Sequence, residues 1–372
     1  MRFLFFVKGD GRGHITQALA LAPLLEARGH TVGPFVVGCA PETRLPAFLH
    51  EKAALPIEKV YSPNFVPDSK NQGISWGRTV LHGARNLMSY RQTFATITRM
   101  IDTFKPDVIV NMYEPALALY SLRKAVRAPV IHIAHQYLML HGVFVFPPGR
   151  ALEKHTVLNY TRLTKLGSSK MLALSFYDVP DDEQQKIYPV PPLLRSEVFD
   201  RTSALGDHFL VYVLNHGLAD DVRAFNKRYP DMPVHAFWNN ADAPQTLNAS
   251  PTLTFHQLND TLFLDKMASC RGVACTAGFE TVSEAFYYRK PALLMPSPGQ
   301  YEQFANAFDA ETVGAGRMVS TLDLCLLNEF LPHYNPKHDA YLAWMDQATA
   351  KILYHLENPL ADGRGYHPPS AK

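Results

Sequence analysis

Residues 276–307 read TAGFETVSEAFYYRKPALLMPSPGQYEQFANA, and the rest of the chain can be read outward from them. A short apolar run, Gly272-Val273-Ala274-Cys275, leads into a turn at Gly278. A helix should follow, with Thr281 as N-cap and Glu284 three residues later, which is capping-box spacing. Val282, Ala285 and Phe286 give it one apolar face, and Lys290-Pro291 stops it. Ala292 to Met295 reads as a short buried strand ended by Pro296 and Pro298. Glu302, Gln303 and Asn306 stand at the start of the next helix. In parallel sheets built of such units, ligands sit outside the carboxyl ends of the strands. The helix start after Gly278 offers unpaired N–H groups and a positive dipole end, which suits a phosphate. Glu284, one turn deeper, can accept hydrogen bonds from two vicinal hydroxyls; Glu302 and Gln303 can do the same for a second polyol. The same residues also fit an ordinary strand–helix–strand unit in which Glu284 only caps.

At 372 residues the chain is too long for one typical core, so two domains are expected. Hydrophobic residues at 47% and charged ones at 19% are ordinary for a globular protein. A net charge of +2 gives no field toward nucleic acid, which is not an expected partner. Cys39, Cys270, Cys275 and Cys325 lack metal-ligand spacing and read as reduced thiols in a cytoplasmic protein. The apolar run Arg2 to Val7 is too short to span a membrane, and a secretory segment should not lead straight into Lys8-Gly9-Asp10-Gly11.

That run is the first strand. It enters Gly11-Arg12-Gly13-His14, then a helix to about Arg28 and a second strand over Thr31 to Val37, a βαβ opening. His14 replaces the third glycine of a dinucleotide fingerprint and no acid closes the second strand, which argues against a nicotinamide or flavin site. Residues 61–75 read as a loop and 76–105 as a helix. Arg78, Arg85, Arg91, Arg99 and Lys105 suit either an anionic surface or plain solvent. The strand Pro106 to Asn111 ends before Glu114-Pro115, and the strand Pro129 to Ala134 ends in His135-Gln136. Residues 137–148 form either a buried strand–loop or an apolar lip; His141 and the prolines argue against a membrane helix. An extended linker should run from Tyr188 to about Asp207. A strand over His208 to Leu214 would then put the Asn215-His216-Gly217 turn at its carboxyl end. Leu253 to His256 is a further strand, Asn259 or Asp260 caps the next helix, and one long helix covers about 338–356.

The 276–307 stretch resembles the donor-binding signature of the two-domain, GT-B-type glycosyltransferases. That group includes the UDP-glucosyl and glucuronosyl transferases and the MurG-like enzymes of cell-wall synthesis. Their pattern, G-x-x-[ST]-x-x-E and later [DE]-Q-x-x-N-A, falls on Gly278 to Glu284 and on Glu302 to Ala307. The resemblance implies that Glu284 holds the nucleotide ribose, Thr281 meets the pyrophosphate, and Glu302 and Gln303 read the donor sugar. Thr276 stands where many plant-type members carry a phosphate-facing His, and Glu280 must point away from the diphosphate. His216, Phe255, His256 and Leu258 are the remaining donor-side candidates, the last three for the base. The opening resembles the G-x-G-H loop of the same group on Gly11, Gly13 and His14, which implies a general base at His14. His135 is its substitute. Asn111 stands where some members carry the Asp that orients this His, so Glu114 is the nearest carboxylate.

The fold so implied is α/β: two Rossmann-like αβα domains facing across a cleft, with a C-terminal helix returning to the first. The expected boundaries are 1–195 for the acceptor-side domain, 196–335 for the donor domain and 336–372 for the helical tail. The implied reaction is inverting transfer of a sugar from a nucleoside-diphosphate sugar, in first place a UDP-sugar, to a hydroxyl. A lipid-linked or hydrophobic acceptor, a role in cell-envelope polysaccharide synthesis and peripheral contact with the inner membrane face belong to the same expectation. No cofactor is implied, and the lack of an Asp-x-Asp motif implies no metal. A nucleotide-sugar epimerase of this fold, or a non-catalytic nucleotide-sugar binding protein, remains compatible with the same residues.

Overall fold

The computed structural model describes residues 1–62, 87–213, 216–240, 242–334, 337–363 and 366. Most of the loop expected over 61–75, the first turns of the basic helix with Arg78 and Arg85, and Asn215 lie outside them. The chain divides into one unit of Met1–Phe144, Pro148–Leu193 and Trp344–Lys372 and another of Val145–Pro147 and Leu194–Ala343.

The first unit is built on β1 (Arg2–Lys8), β2 (Thr31–Cys39), β3 (Ile57–Tyr61), β4 (Val108–Met112), β5 (Val130–Ala134), β6 (Lys170–Leu174) and β7 (Ile187–Val190). They form one sheet in the order β3-β2-β1-β4-β5-β6-β7, every pair parallel. Strands β1, β4, β5 and β6 are buried almost without interruption and mostly apolar, as strands of a parallel sheet covered on both faces are. Leu4, Phe6, Val36, Ile109, Leu117 and Tyr120 pack one core on this sheet. The order reverses between β1 and β4, so their carboxyl ends form a switch point, where ligands bind in such sheets. Tyr188 to Val190, expected as linker, pairs with β6 as the edge strand β7. Pro189 is tolerated there because an edge strand has one side free of ladder bonds.

The tail helix Ala348–Glu357 joins this unit. Arg28 Nε and Nη2 donate to the two Glu357 oxygens at 3.1 and 3.2 Å, and Trp344 Nε1 donates to the Ser175 carbonyl at 3.0 Å. The single helix expected over 338–356 is two, His338–Met345 and Ala348–Glu357. The Gln347 N–H bonds back to the Trp344 carbonyl and tightens the turn between them.

Buried histidines should make this unit less stable in acid. His132 and His355 are 0% exposed and His135 is 2% exposed. Burial pushes their pKa values down to about 3, 3 and 4, with Lys170 adding to the effect at His355. The folded state therefore holds them neutral, while the unfolded chain protonates them below its ordinary value of 6.5. Their contribution is complete above that value and is lost as pH falls toward the folded values. Each should cost about 2 kcal/mol at about pH 5. Thermal unfolding at about pH 7.5 and about pH 5 checks this; equal midpoints would contradict it.

The second unit carries β8 (Phe209–Val213), β9 (Val234–Trp238), β10 (Thr246–Ser250), β11 (Leu253–Gln257), β12 (Gly272–Cys275), β13 (Ala292–Leu294) and β14 (Gly316–Met318). Their order is β10-β11-β9-β8-β12-β13-β14, parallel except for the β10–β11 pair. The reversal here lies between β8 and β12, so the carboxyl end of β12, where 276–307 begins, is again a switch point. Among the described residues, no helix is long and apolar enough to cross a membrane.

Candidate active site

In the second unit the chain leaves β12 through Thr276, which is buried, and turns at Ala277 with a left-handed φ of 60°. That turn starts the helix Phe279–Tyr287 with Gly278 as N-cap, at φ −66° and ψ 133°. Thr281 therefore lies inside the first turn and is not the cap. The positive φ at Ala277 lets the helix begin before the Thr281 position. Among the described residues, no side chain caps this end, and a Cβ placed on exposed Gly278 would meet nothing within 4 Å. The chain itself does not require glycine here for space or φ; what glycine preserves is close access to the helix N–H groups.

The rest of the stretch braces that turn. Asn306 Nδ2 donates to the Ala277 carbonyl at 3.4 Å, and Gln303 Oε1 accepts from Ser297 N–H at 2.8 Å. Glu302 and Gln303 are half-buried in the first turn of the helix Tyr301–Thr312. Glu284 is 2% exposed and does not stand alone. Arg195 Nε and Nη2 donate to its two oxygens at 2.6 and 3.1 Å, and Arg195 Nη1 lies 3.6 Å from Asp260 Oδ2. Asn259 caps the helix Asp260–Ser269 by accepting from Leu262 N–H at 2.9 Å, which leaves Asp260 to meet the guanidinium. The fork uses one acceptor site on each Glu284 oxygen; a carboxylate has about four. Neutralising the carboxylate also removes a charge that would repel a diphosphate at the helix start.

Other donor-side candidates separate. His216 opens the helix His216–Arg228 after β8, and its side chain lies outside what the structure describes. Phe255 is a correction: it is 0% exposed and stacks on Trp238 at 4.4 Å inside the core. His256 is another. Lys266 Nζ donates to His235 Nε2 at 3.0 Å, so His235 Nδ1–H donates to His256 Nε2 at 2.9 Å. His256 is thereby held in a side-chain ladder within the sheet layer, away from any base-stacking role.

In the first unit His14 lies in the first turn of the helix Gly13–Ala27 and is half-buried. Its ring stacks on Tyr113 at 5.5 Å, and its Nδ1 is 3.2 Å from Gln17 Oε1. Tyr113, at φ 60°, is anchored through its hydroxyl to Thr161 at 2.7 Å. Lys8 Nζ donates to Tyr160 OH at 2.9 Å and lies over the Tyr113 and Tyr160 rings. Burial and then the Lys8 ammonium push the His14 pKa down to about 4, against the opposing Gln17 bond. The imidazole is therefore neutral at ordinary pH, the form a base needs.

Asn111 and Glu114 do not orient it. Asn111 Nδ2 donates to the Glu114 carbonyl at 3.0 Å and Asn111 Oδ1 accepts from Glu114 N–H at 2.7 Å. Glu114 is 0% exposed; its Oε1 accepts from Ser62 Oγ at 2.7 Å and from Ala116 N–H at 2.8 Å, capping the helix Pro115–Ser121. Its carboxylate occupies the space over Gly38, where a Cβ would come within 2.2 Å. Glu114 is thus corrected from a catalytic candidate to a buried cap, its pKa pushed up to about 7 by burial. His135 starts a 3-10 turn at the carboxyl end of β5 between Phe144 and Phe176. Its Nδ1–H donates to the Leu174 carbonyl at 2.7 Å, which leaves Nε2 as the basic nitrogen.

The family model of glycosyl transferase family 1 matches residues 1–334. The chain belongs to glycosyl transferase family 1. No curated protein matches this glycosyltransferase. Several solved GT-B enzymes share its fold. The calicheamicin glycosyltransferase CalG4 is 18% identical with a TM-score of 0.60, covering 99% of this chain and 100% of its own. UGT89C1 of Arabidopsis thaliana, solved with UDP-L-rhamnose, is 15% identical with a TM-score of 0.60 over 97% and 98% of the two chains. A second structure of that protein holds quercetin. The spinosyn rhamnosyltransferase SpnG, solved with thymidine diphosphate, is 16% identical with a TM-score of 0.58 over 96% and 100%.

Three side chains that meet the candidate residues were not singled out from the sequence. Arg195 lies 89 positions from Glu284, and no local pattern joins them. Lys8 reaches Tyr160 over 152 positions. Gln17 was legible as the residue one helical turn after His14, where side chains share a face.

Proposed function

We propose that this glycosyltransferase moves a sugar from a nucleoside-diphosphate sugar to a hydroxyl acceptor, with inversion and without a metal. The observation that carries the reading is the uncapped, open helix start at Gly278 beside a Glu284 carboxylate held by Arg195. The helix N–H groups and dipole would receive the diphosphate as it leaves, in the role a metal plays elsewhere. Thr276 and Thr281 would add hydroxyls there, and His216 opens the helix after β8, the strand next to β12. Glu284 would take the ribose, and Glu302 and Gln303 the sugar. His14 Nε2 would take the acceptor's proton while its oxygen bonds to the anomeric carbon. The electron pair of the broken bond would leave with the diphosphate. UDP and TDP are the nucleotides to test first, since UGT89C1 and SpnG are solved with them. On this reading the first unit is the acceptor side and the second the donor side.

A hydrophobic acceptor, free or lipid-linked, is the finer proposal. Val143, Val145 and Leu152 are 43, 60 and 76% exposed in one short segment, and Arg150 and Lys154 flank Leu152. The same segment would give peripheral, salt-sensitive contact with an anionic inner membrane face; failure to sediment with anionic vesicles at low salt would remove that part.

Labelled UDP- and TDP-sugars, incubated with and without a panel of hydroxyl acceptors, test the main reading. Diphosphate release that depends on acceptor and is unchanged by chelator is expected. An epimerised donor formed without acceptor would overturn the transfer reading. Activity lost to chelator and restored by magnesium would overturn the metal-free one.

A further inference from the structure

We propose that Gln17 is the positioning residue of the His14 base, its side-chain carbonyl accepting from Nδ1–H so that Nε2 carries the lone pair. This rests on the reading of His14 as general base. Among the described residues, neither Asn111 nor Glu114 sets a carboxylate behind the ring. Asn111 has both amide atoms engaged with the Glu114 backbone, and Glu114 spends Oε1 on Ser62 and the helix cap while Oε2 is buried over Gly38. What reaches the ring instead is Gln17 Oε1, at 3.2 Å from Nδ1. Gln17 is 3% exposed on the same helix face, so packing fixes its rotamer and makes it a rigid strut. Tyr113, stacked on the ring, sets the plane in which that bond lies.

The exchange of a carboxylate for an amide changes the chemistry. An amide carbonyl selects the Nδ1–H tautomer as a carboxylate does, but it cannot balance the charge of an imidazolium. Among the described residues, the groups shown against the ring are Lys8 from β1, whose ammonium disfavours protonation, and Tyr113 from the turn after β4. The base therefore rests neutral, oriented by an amide rather than by a carboxylate. When Nε2 takes the acceptor's proton, the Nδ1 proton stays on the ring, still donated to Gln17.

Nitrogen NMR of the His14 ring in the unliganded protein reads the tautomer without any activity, and the Nδ1–H form is expected. Gln17→Met keeps length and packing but offers no acceptor. It should mix the tautomers and lower kcat by on the order of tenfold to a hundredfold, with donor KM unchanged. Gln17→Glu restores a carboxylate and should raise the pH of the acidic limb of kcat/KM by about 1–3 units. An Nε2–H ring in an enzyme that still needs His14, or full kcat in folded Gln17→Met, would overturn the role of Gln17 alone. A fully active His14→Gln would instead remove the base, and this role with it.

Discussion

His14→Gln is expected to bind the donor nucleotide with little change and to transfer sugar about 10²–10⁴ more slowly, the usual loss for a positioned base. Gln approximates the polar size of the ring but is not basic, and the position is half-buried in a helix's first turn, so the fold should tolerate it. The pH profile gives an independent reading. The base works unprotonated, and burial with Lys8 lowers its pKa to about 4. In the wild type, kcat/KM should therefore stay level from neutrality to about one unit above that value and fall only below it. A limb near the ordinary histidine value would mean that another group titrates, or that the ring is more solvated in solution. His135→Gln is the internal control. Turnover kept in His14→Gln and lost in His135→Gln would move the base to His135, whose Nε2 is also the basic nitrogen. If both stay active, Glu114 does not take the role, because its carboxylate caps a helix in the core.

The fold was legible where one local rule decided it. Around 276–307, runs of apolar residues bounded by proline can only be buried strands of a parallel sheet, and the alternation with helices follows. The helix start was misplaced because composition pointed to Gly278 as the turn, whereas the left-handed residue is Ala277, which no propensity marks. Phe255 and His256 were assigned outward because they sit at a strand's carboxyl end. Adjacent residues point to opposite faces, and here both faces are covered, so alternation could not tell core from site. Glu114 looked like the nearest carboxylate to His14 along the chain. Its true partners, Ser62 just after β3 and Gly38 in β2, come from elsewhere in the sheet, and only the strand order reveals that the space over Gly38 is where the carboxylate goes. Arg195 is the same case in the candidate donor site: a residue read as linker becomes the cation paired with Glu284.

That dependence makes Arg195→Met the change with the largest expected effect on stability. Arg195 is 12% exposed and Glu284 3% exposed at the side chain, and they share a two-point bond with Asp260 close by. Removing the guanidinium leaves a buried carboxylate without its partner, which typically costs about 3–5 kcal/mol. A fall in Tm of roughly 10 °C is the corresponding signal for a domain of this size. Glu284→Ala alone cannot assign a donor role, since it strands the arginine in the same way and would weaken binding through damage to the site. The double variant Arg195→Met/Glu284→Leu separates the two effects. Apolar replacement of both members of a buried pair is often close to neutral, so most of the stability should return. The ribose contacts should not return, because the carboxylate is gone and each charge-assisted bond contributes about 1.5–3 kcal/mol. Calorimetry with UDP and TDP should therefore find a folded double variant whose nucleotide affinity is lower by about tenfold or more. Recovery of both stability and affinity in that variant would mean that the Arg195–Glu284 pair serves packing alone, and that the ribose is held by another group near the Gly278 helix start.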